Sequence, residues 1–532
     1  MHREKDPESD GSVGVMTDTS HTQSPEEYDL ERLGRERPPT FSNWFQEFMF
    51  CCALLISMLM SEYFVSGFNI ILPELAHVLD IPSAQLTWPA SVFSLVIGAF
   101  LLPSGRLADI YGGYAIFNFG MVWTFVWCLV AGFSTNLKML IATRAIAGLG
   151  PAAFLPTGVM LIGKIYRPGP RKNMVFSLYS AIAPLGFFFG IIMSGIAGQY
   201  MTWRWYFFLG AIVLLVACPM SFFAMPNDFK EAQKKNETQH VVMDWWGMAT
   251  IVPALVLLTY AITDGTHAPD GWKTPYIIVT LIVGLGFLGA AVYIEGWVAK
   301  QPLLPFDLFK PKYMGRLTVA LFFGYGVFGI YLLYSSLHIA EVAGKTPLIT
   351  AVWFVPMAAG GIVLATIGGF TLHLLPGRIL LIISGVGSIL SVLLFAVIRP
   401  EATYWAFVFP AMLCATIGVD ICFLVTNIFI TTNLPKNRQG LAGGLVYSLL
   451  FLGISFFLGL ADLAVAENKK RTGERDFSIA FWLATACAVV TLAIFSTIKL
   501  GKAESELTVE EREQLQRARA QEAASQLHPG PK

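Results

Sequence analysis

The chain has 532 residues, 55% of them hydrophobic and only 14% charged, with a formal net charge of zero. A soluble domain carries roughly one-quarter charged residues, so this composition excludes a soluble multidomain protein. With no basic stripe interleaved with aromatics, it also excludes nucleic-acid binding. Apolar runs recur roughly every 30 residues, each near the ~20 residues that cross a hydrocarbon core of ~30 Å.

A polar, acid-rich stretch comes first and lacks the basic start, short apolar run and cleavage site of a signal peptide, so 1–43 is expected to be a cytosolic tail. Six apolar spans follow, at 48–72, 88–103, 114–133, 137–165, 174–197 and 205–224, giving a first six-helix bundle over 44–224. A polar linker, 225–243, leads to two additional spans, 245–263 and 276–294, which with their following loop occupy 244–314. Six more spans, 316–338, 348–372, 379–397, 404–430, 441–465 and 477–498, make a second six-helix bundle over 315–498. The charged tail, 499–532, alternates Glu and Arg at helical spacing and reads as solvated. Six, two and six spans predict an all-α polytopic membrane protein with fourteen transmembrane helices.

Orientation follows from Lys and Arg in short loops. Lys164, Arg167, Arg171 and Lys172 share one loop, Lys230, Lys234 and Lys235 another, and Lys300, Lys310, Lys312 and Arg316 a third, all on the side of both termini. Both ends are therefore expected in the cytosol. Lys469, Lys470, Arg471 and Arg475 dissent from the far side, partly neutralised by Glu467, Glu474 and Asp476. The glycosylation-like Asn236-Glu237-Thr238 falls on the cytosolic side and reads as a chance match.

Three charges stand out within spans, where each needs a reason. Glu62 is near the middle of the first, and proton binding is its natural use; Ser66 and Asn69 follow at i+4 and i+7 on the same face. The alternative is a hydrogen bond between helices. Arg144, in the fourth span, cannot shed its charge and needs a carboxylate, a carbonyl cluster or a wet cavity, with Glu62 as the first partner to expect. Asp420 shares a face with Thr416, Asn427 and Thr431, a polar stripe serving either cargo and protons or helix packing. Tyr331 is one of several span aromatics that serve as core, interfacial belt or cargo site.

Other chemistry finds no support. Gly344-Lys345-Thr346 lacks the earlier glycine of a phosphate-binding loop, Ile339 standing in its place. His338 and His373 stand alone, and the seven cysteines lie in apolar runs without metal-ligand spacing, so neither catalysis, metal nor cofactor is expected.

Gly105-Arg106-Leu107-Ala108-Asp109-Ile110-Tyr111-Gly112-Gly113, then Arg144 with Gly148 and Gly150, carry a specific resemblance. The chain resembles a fourteen-span member of the major facilitator superfamily, in the drug:proton antiporter family. In that family the loop between spans two and three reads Gly-x-Leu-Ala-Asp-Arg-x-Gly-Arg-Arg; Gly105, Leu107, Ala108, Asp109 and Gly112 fit, while Ile110, Gly113 and Tyr114 replace bases. The first-span pattern Asp-x-Thr-x-x-Asn-x-x-Leu-Pro keeps Ser66, Asn69, Leu72 and Pro73, with Phe64 at the acid's position and Glu62 about 200° around the helix from it. The fifth-span Gly-Pro-x-x-Gly-Gly appears as Ala183-Pro184-Leu185-Gly186-Phe187-Phe188. The stretch from Gly418 to Gly444 resembles the fungal branch that includes the aminotriazole-resistance protein and low-affinity ammonium transporters.

The resemblance implies the major facilitator fold, a cavity lined by spans one, four, nine and twelve, and alternating access. It implies a part in proton coupling for Arg144 and conformational roles for Gly105, Asp109, Gly112, Gly148, Pro184 and Gly186, while the intramembrane charges themselves make Glu62 and Asp420 the expected proton or cation carriers and Ser66, Asn69, Thr416, Asn427 and Tyr331 the expected cavity residues. Export of a small organic toxin, drug or secondary metabolite against protons is the first expectation. Uptake of a small solute or cation such as ammonium is the second, and a transport-inactive receptor or scaffold the third. A monomer in the plasma membrane, or else the vacuolar membrane, is expected.

Overall fold

The computed structural model describes residues 36–82, 85–167, 170–226, 242–265, 267–371, 375–399, 402–432, 439–473 and 476–501. Most of both expected tails, and most of the linker with Asn236, lie outside them. The described residues contain fourteen helices long and apolar enough to cross a membrane. The first six are α1 (Trp44–Val78), α2 (Thr87–Tyr111), α3 (Gly113–Gly132), α4 (Leu137–Ile165), α5 (Pro170–Tyr200) and α6 (Arg204–Ala224). Next come α7 (Trp245–Asp264) and α8 (Pro275–Val298). The last six are α9 (Met314–Val342), α10 (Pro347–Leu364), α11 (Gly377–Ala396), α12 (Val408–Thr432), α13 (Gln439–Thr472) and α14 (Ser478–Thr497). The chain is a multi-pass membrane protein, and an even number of crossings returns both ends of the described chain to one side.

Local chemistry starts and stops these helices. Asn43 and Asn136 cap α1 and α4 by accepting from the backbone N–H of Gln46 at 2.8 Å and Met139 at 2.9 Å. Pro275 and Pro347 open α8 and α10, where a missing N–H loses nothing. The entire connection between α2 and α3 is Gly112, at φ 92°, a left-handed conformation that a side chain would strain.

Two helix ends depart from expectation. The twelfth span is expected from Tyr404, yet residues 404–407 form a turn and the helix starts at Val408. The thirteenth continues to Thr472 rather than stopping at Val465, taking Lys469, Lys470 and Arg471 into its last turn. Cations there complement the negative end of the helix dipole, so polar residues that hydropathy assigns to a loop extend the helix instead.

Glycines let the helices approach. A Cβ on Gly186 would lie 2.5 Å from the Leu59 carbonyl and one on Gly190 2.7 Å from that of Tyr63, so α5 presses its backbone against α1. In the second bundle Gly387 of α11 meets the Cys414 carbonyl of α12, and Gly453 of α13 that of Phe322 on α9. Across the bundles, Gly98 of α2 receives Leu452 of α13. At the end of the molecule opposite the chain's ends the bundles are zipped shut. There Ser336 Oγ donates to the Asn69 carbonyl at 2.5 Å, Leu348 N–H donates to Gln199 Oε1 at 3.3 Å, and Gly195 packs on Ala351.

The additional pair lies outside this seam, against α2 and α13, with Trp88 and Tyr260 rings 5.5 Å apart and Gly459 against Thr263. Along most of α8 the buried positions are Ile277, Gly284 and Ala291, one stripe at every seventh residue, while Ile282 is 63% exposed. Such a helix meets one neighbour and offers its remaining apolar surface to lipid.

Candidate functional site

Glu62 of α1 and Asp420 of α12 come from different bundles and are close enough to interact electrostatically. Both are half-buried rather than enclosed. Tyr179 of α5 and Tyr447 of α13 lie in the same electrostatic neighbourhood as Glu62. The Tyr179 hydroxyl is buried with no hydrogen-bond partner among the described residues, while that of Tyr447 points to Met58 Sδ at 3.9 Å. Asp420 lies against Gly361 of α10, where an added Cβ would come 3.0 Å from its Oδ2 and 3.6 Å from Pro184 Cβ. Pro184, expected as a conformational residue, thus borders the acid of the opposite bundle. The geometry brings two carboxylates and two phenols to the junction of the bundles.

Arg144 is elsewhere, and the expected pair with Glu62 is not formed. Its Nε donates to the Pro89 carbonyl of α2 at 2.6 Å, and its guanidinium lies 3.5 Å above the Phe68 ring and 5.0 Å from that of Phe93. It is 3% exposed, in a pocket with Phe64, Thr124, Cys128 and Phe207. Helix rotation explains the correction. Phe64 and Phe68, at i and i+4, turn toward α4, and Glu62 is most of half a turn away from Phe64. Arg144 therefore finds aromatic faces and a carbonyl where an acid at Phe64 would have stood.

The proposed cavity stripe also divides. Ser66 is 1% exposed and donates to the Glu62 carbonyl at 2.8 Å and the Phe187 carbonyl of α5 at 2.9 Å. Thr416, equally buried, donates to the Met357 carbonyl of α10 at 2.8 Å. Both side chains join helices rather than face a cavity. Asn69 Nδ2 donates to the Val65 carbonyl of its own helix. Asn427 is half-buried on α12, and the side chain of Thr431 lies outside the described residues. The Tyr331 hydroxyl meets Met412 Sδ at 3.0 Å, and the residue lines a pocket inside the second bundle with Ser384, Ser388 and Ser391. Of the conformational residues, Gly148 lets α4 approach the Phe93 carbonyl, Gly105 has only ordinary contact with Pro156, and Asp109 is exposed at the end of α2.

One intramembrane charge was missed from sequence. Asp462 of α13, 5% exposed, meets His267 Nε2 of the α7–α8 loop at 2.7 Å. It lay inside the apolar run 441–465, so a charge count within that span would have found it. Tyr179 and Tyr447 had no comparable signal, because their role depends on which helices meet.

The model of the Major Facilitator Superfamily matches residues 54–458. The chain belongs to this superfamily. A low affinity ammonium transporter from Saccharomyces cerevisiae is 35% identical over 71% of this chain and 73% of the relative. Efflux pump terJ from Aspergillus terreus is 31% identical over 83% and 84%, and the aminotriazole resistance protein of Saccharomyces cerevisiae 32% identical over 85% and 83%. A solved peptide transporter POT in complex with sulfate superposes with a TM-score of 0.60 at 16% identity, over 89% of this chain and all of that one. The fourteen helices are thus a major facilitator fold of two six-helix bundles with an additional pair, in a transporter with fungal transporters among its relatives.

Proposed function

We propose that this facilitator is a proton-coupled exporter of small organic compounds, working by alternating access. The observation that carries the reading is that Glu62 and Asp420, from opposite bundles, are close enough to interact electrostatically. Two carboxylates repel when both are ionised, and a proton on either, or a cationic group between them, removes the repulsion. Their charge state therefore biases whether the bundles stay together at this level, which is what coupling requires. Ser66 and Thr416 fix the acid-bearing helices against α5 and α10. Arg144 fixes α4 against α1 and α2, so its part in coupling is to hold the first bundle's shape rather than to pair with the acids. With both ends in the cytosol, the zipped end is external and cargo enters from the cytosol. An efflux pump and a resistance protein among the relatives support export.

A second reading, uptake of ammonium or a similar small cation, is favoured by the 35% identity to the ammonium transporter and by the anionic junction. Purified protein in liposomes under an imposed pH gradient separates the two. Export predicts organic cargo moving against the proton flux in a toxic-compound panel. Ammonium moving without opposed proton flux, and no organic cargo moving, would replace it with the second reading.

A further inference from the structure

Asp244 and Glu295 stand apart from the bundle junction, where α7 begins and α8 ends. Asp244 caps α7, its Oδ1 accepting from the Gly247 N–H at 2.8 Å. Glu295 lies in the widened last turn of α8, closed by Ala299 N–H to the Ile294 carbonyl at 2.8 Å, and its Oε2 accepts from the Leu304 N–H at 3.0 Å. The other oxygens, Asp244 Oδ2 and Glu295 Oε1, are buried, and neither has a hydrogen-bond partner among the described residues. Both border the space that a single methyl group on Gly247 would fill, Glu295 Oε1 2.5 Å from its carbon and Asp244 Oδ2 closer still, so they share one small pocket. Glu295 is 6% exposed.

Each carboxylate thus has one oxygen held by a backbone N–H and presents the bare one to the shared pocket. Two ionised groups so placed would repel, and each bare oxygen would lack a donor away from water. One proton resolves both defects, giving a charge-assisted O–H···O⁻ hydrogen bond. Among the described residues the surrounding charges offer no substitute. Asp244 is the charged group that acts on Glu295. Arg106, at the end of α2, donates its Nε to the Val242 carbonyl at 3.3 Å and one of its two terminal nitrogens to Gln301 Oε1. Lys300 is exposed on the adjoining loop. We propose that Asp244 and Glu295 are a second proton-binding site, outside the transport route, holding one proton between their bare oxygens.

The position gives that proton a use. The two segments it joins, 242–247 and 295–304, carry Val242 and Gln301, the acceptors that dock Arg106. Arg106 lies just ahead of the turn at Gly112, in the segment where Ile110, Gly113 and Tyr114 stand in place of bases. The protonated pair holds the dock together, and its loss of the proton drives the segments apart, so the additional helices connect cytosolic pH to the α2–α3 turn. The inference is independent of how Glu62 and Asp420 work.

Infrared difference spectroscopy on the full-length protein in lipid nanodiscs, titrated with acid and base, tests it. In a Glu62→Gln/Asp420→Asn background, where the acids at the bundle junction cannot contribute, a protonated-carboxyl C=O band sensitive to deuterium exchange is expected, and it is absent once Asp244→Asn or Glu295→Gln is added. A carboxyl that keeps its proton in the folded state contributes stability at low pH that is lost as pH rises. The wild-type unfolding midpoint should therefore fall as pH rises above the ordinary carboxylate range, while each amide variant, donating an N–H where the proton was, loses that slope. Either variant suffices if the other does not fold. A band that survives both substitutions, or an unchanged slope, overturns the proposal, as does restoration of the high-pH midpoint by sodium or magnesium, which would make this a metal-cation site.

Discussion

At the scale of single residues, Arg144 shows how a side chain can be picked out by its cost and still be given the wrong partner. A guanidinium within an apolar run needs compensation, and that much was legible. The partner depended on the rotation of α1, which turns Phe68 toward α4 and Glu62 toward α12. Arg144→Lys keeps the charge but loses the planar stack on Phe68 and the Nε bond to Pro89. It should cost about 2 kcal/mol of stability and lower transport at unchanged expression, as thermal unfolding and a flux assay would show; wild-type behaviour from the lysine would mean that charge alone matters. Asp462 makes the opposite case, a charge inside a span whose partner comes from a loop. His267→Ala would strand a buried carboxylate, and removing one partner of such a pair costs about 3 kcal/mol. Thermal unfolding should register that loss, accompanied by faster proteolysis of the loop bearing residues 267–274.

At the scale of helices, contact between backbones decides the first bundle. Phe187 and Phe188 occupy positions where the family pattern has glycines, yet α5 still reaches α1, because Gly186 and Gly190 supply the close approach. Gly186→Leu should force α1 and α5 apart and abolish folding or transport, measured by size-exclusion profile and flux. Gly286→Ala on α8 serves as the control, because a Cβ there meets nothing within 4 Å. Helix cores were readable from hydropathy, since about twenty apolar residues in lipid have few alternatives to a helix. Helix ends were less so: Val408 and Thr472 are set by a local turn and by charges at a helix terminus, neither of which a hydropathy window senses.

At the scale of the molecule, the division into six, two and six helices was legible because span count survives without tertiary information. The approach of Glu62 to Asp420 was only half legible. Each acid stood out within its own span, but Tyr179, Tyr447 and Pro184 join them only because α5, α12 and α13 converge. The closed end makes a prediction about motion. Joining Gln199→Cys to Leu348→Cys with a short thiol crosslinker should hold α5 against α10 and stop transport, with recovery on reduction; transport through the crosslinked protein would show that this end does not open. The central claim, that the two acids brought near one another from opposite bundles carry the coupling, is tested most directly by cargo-driven proton flux in liposomes, comparing wild type with Glu62→Gln. The account predicts proton flux opposite to cargo in the wild type and none in the variant, with folding intact. Equal proton flux in both would remove Glu62 from the mechanism and contradict the account.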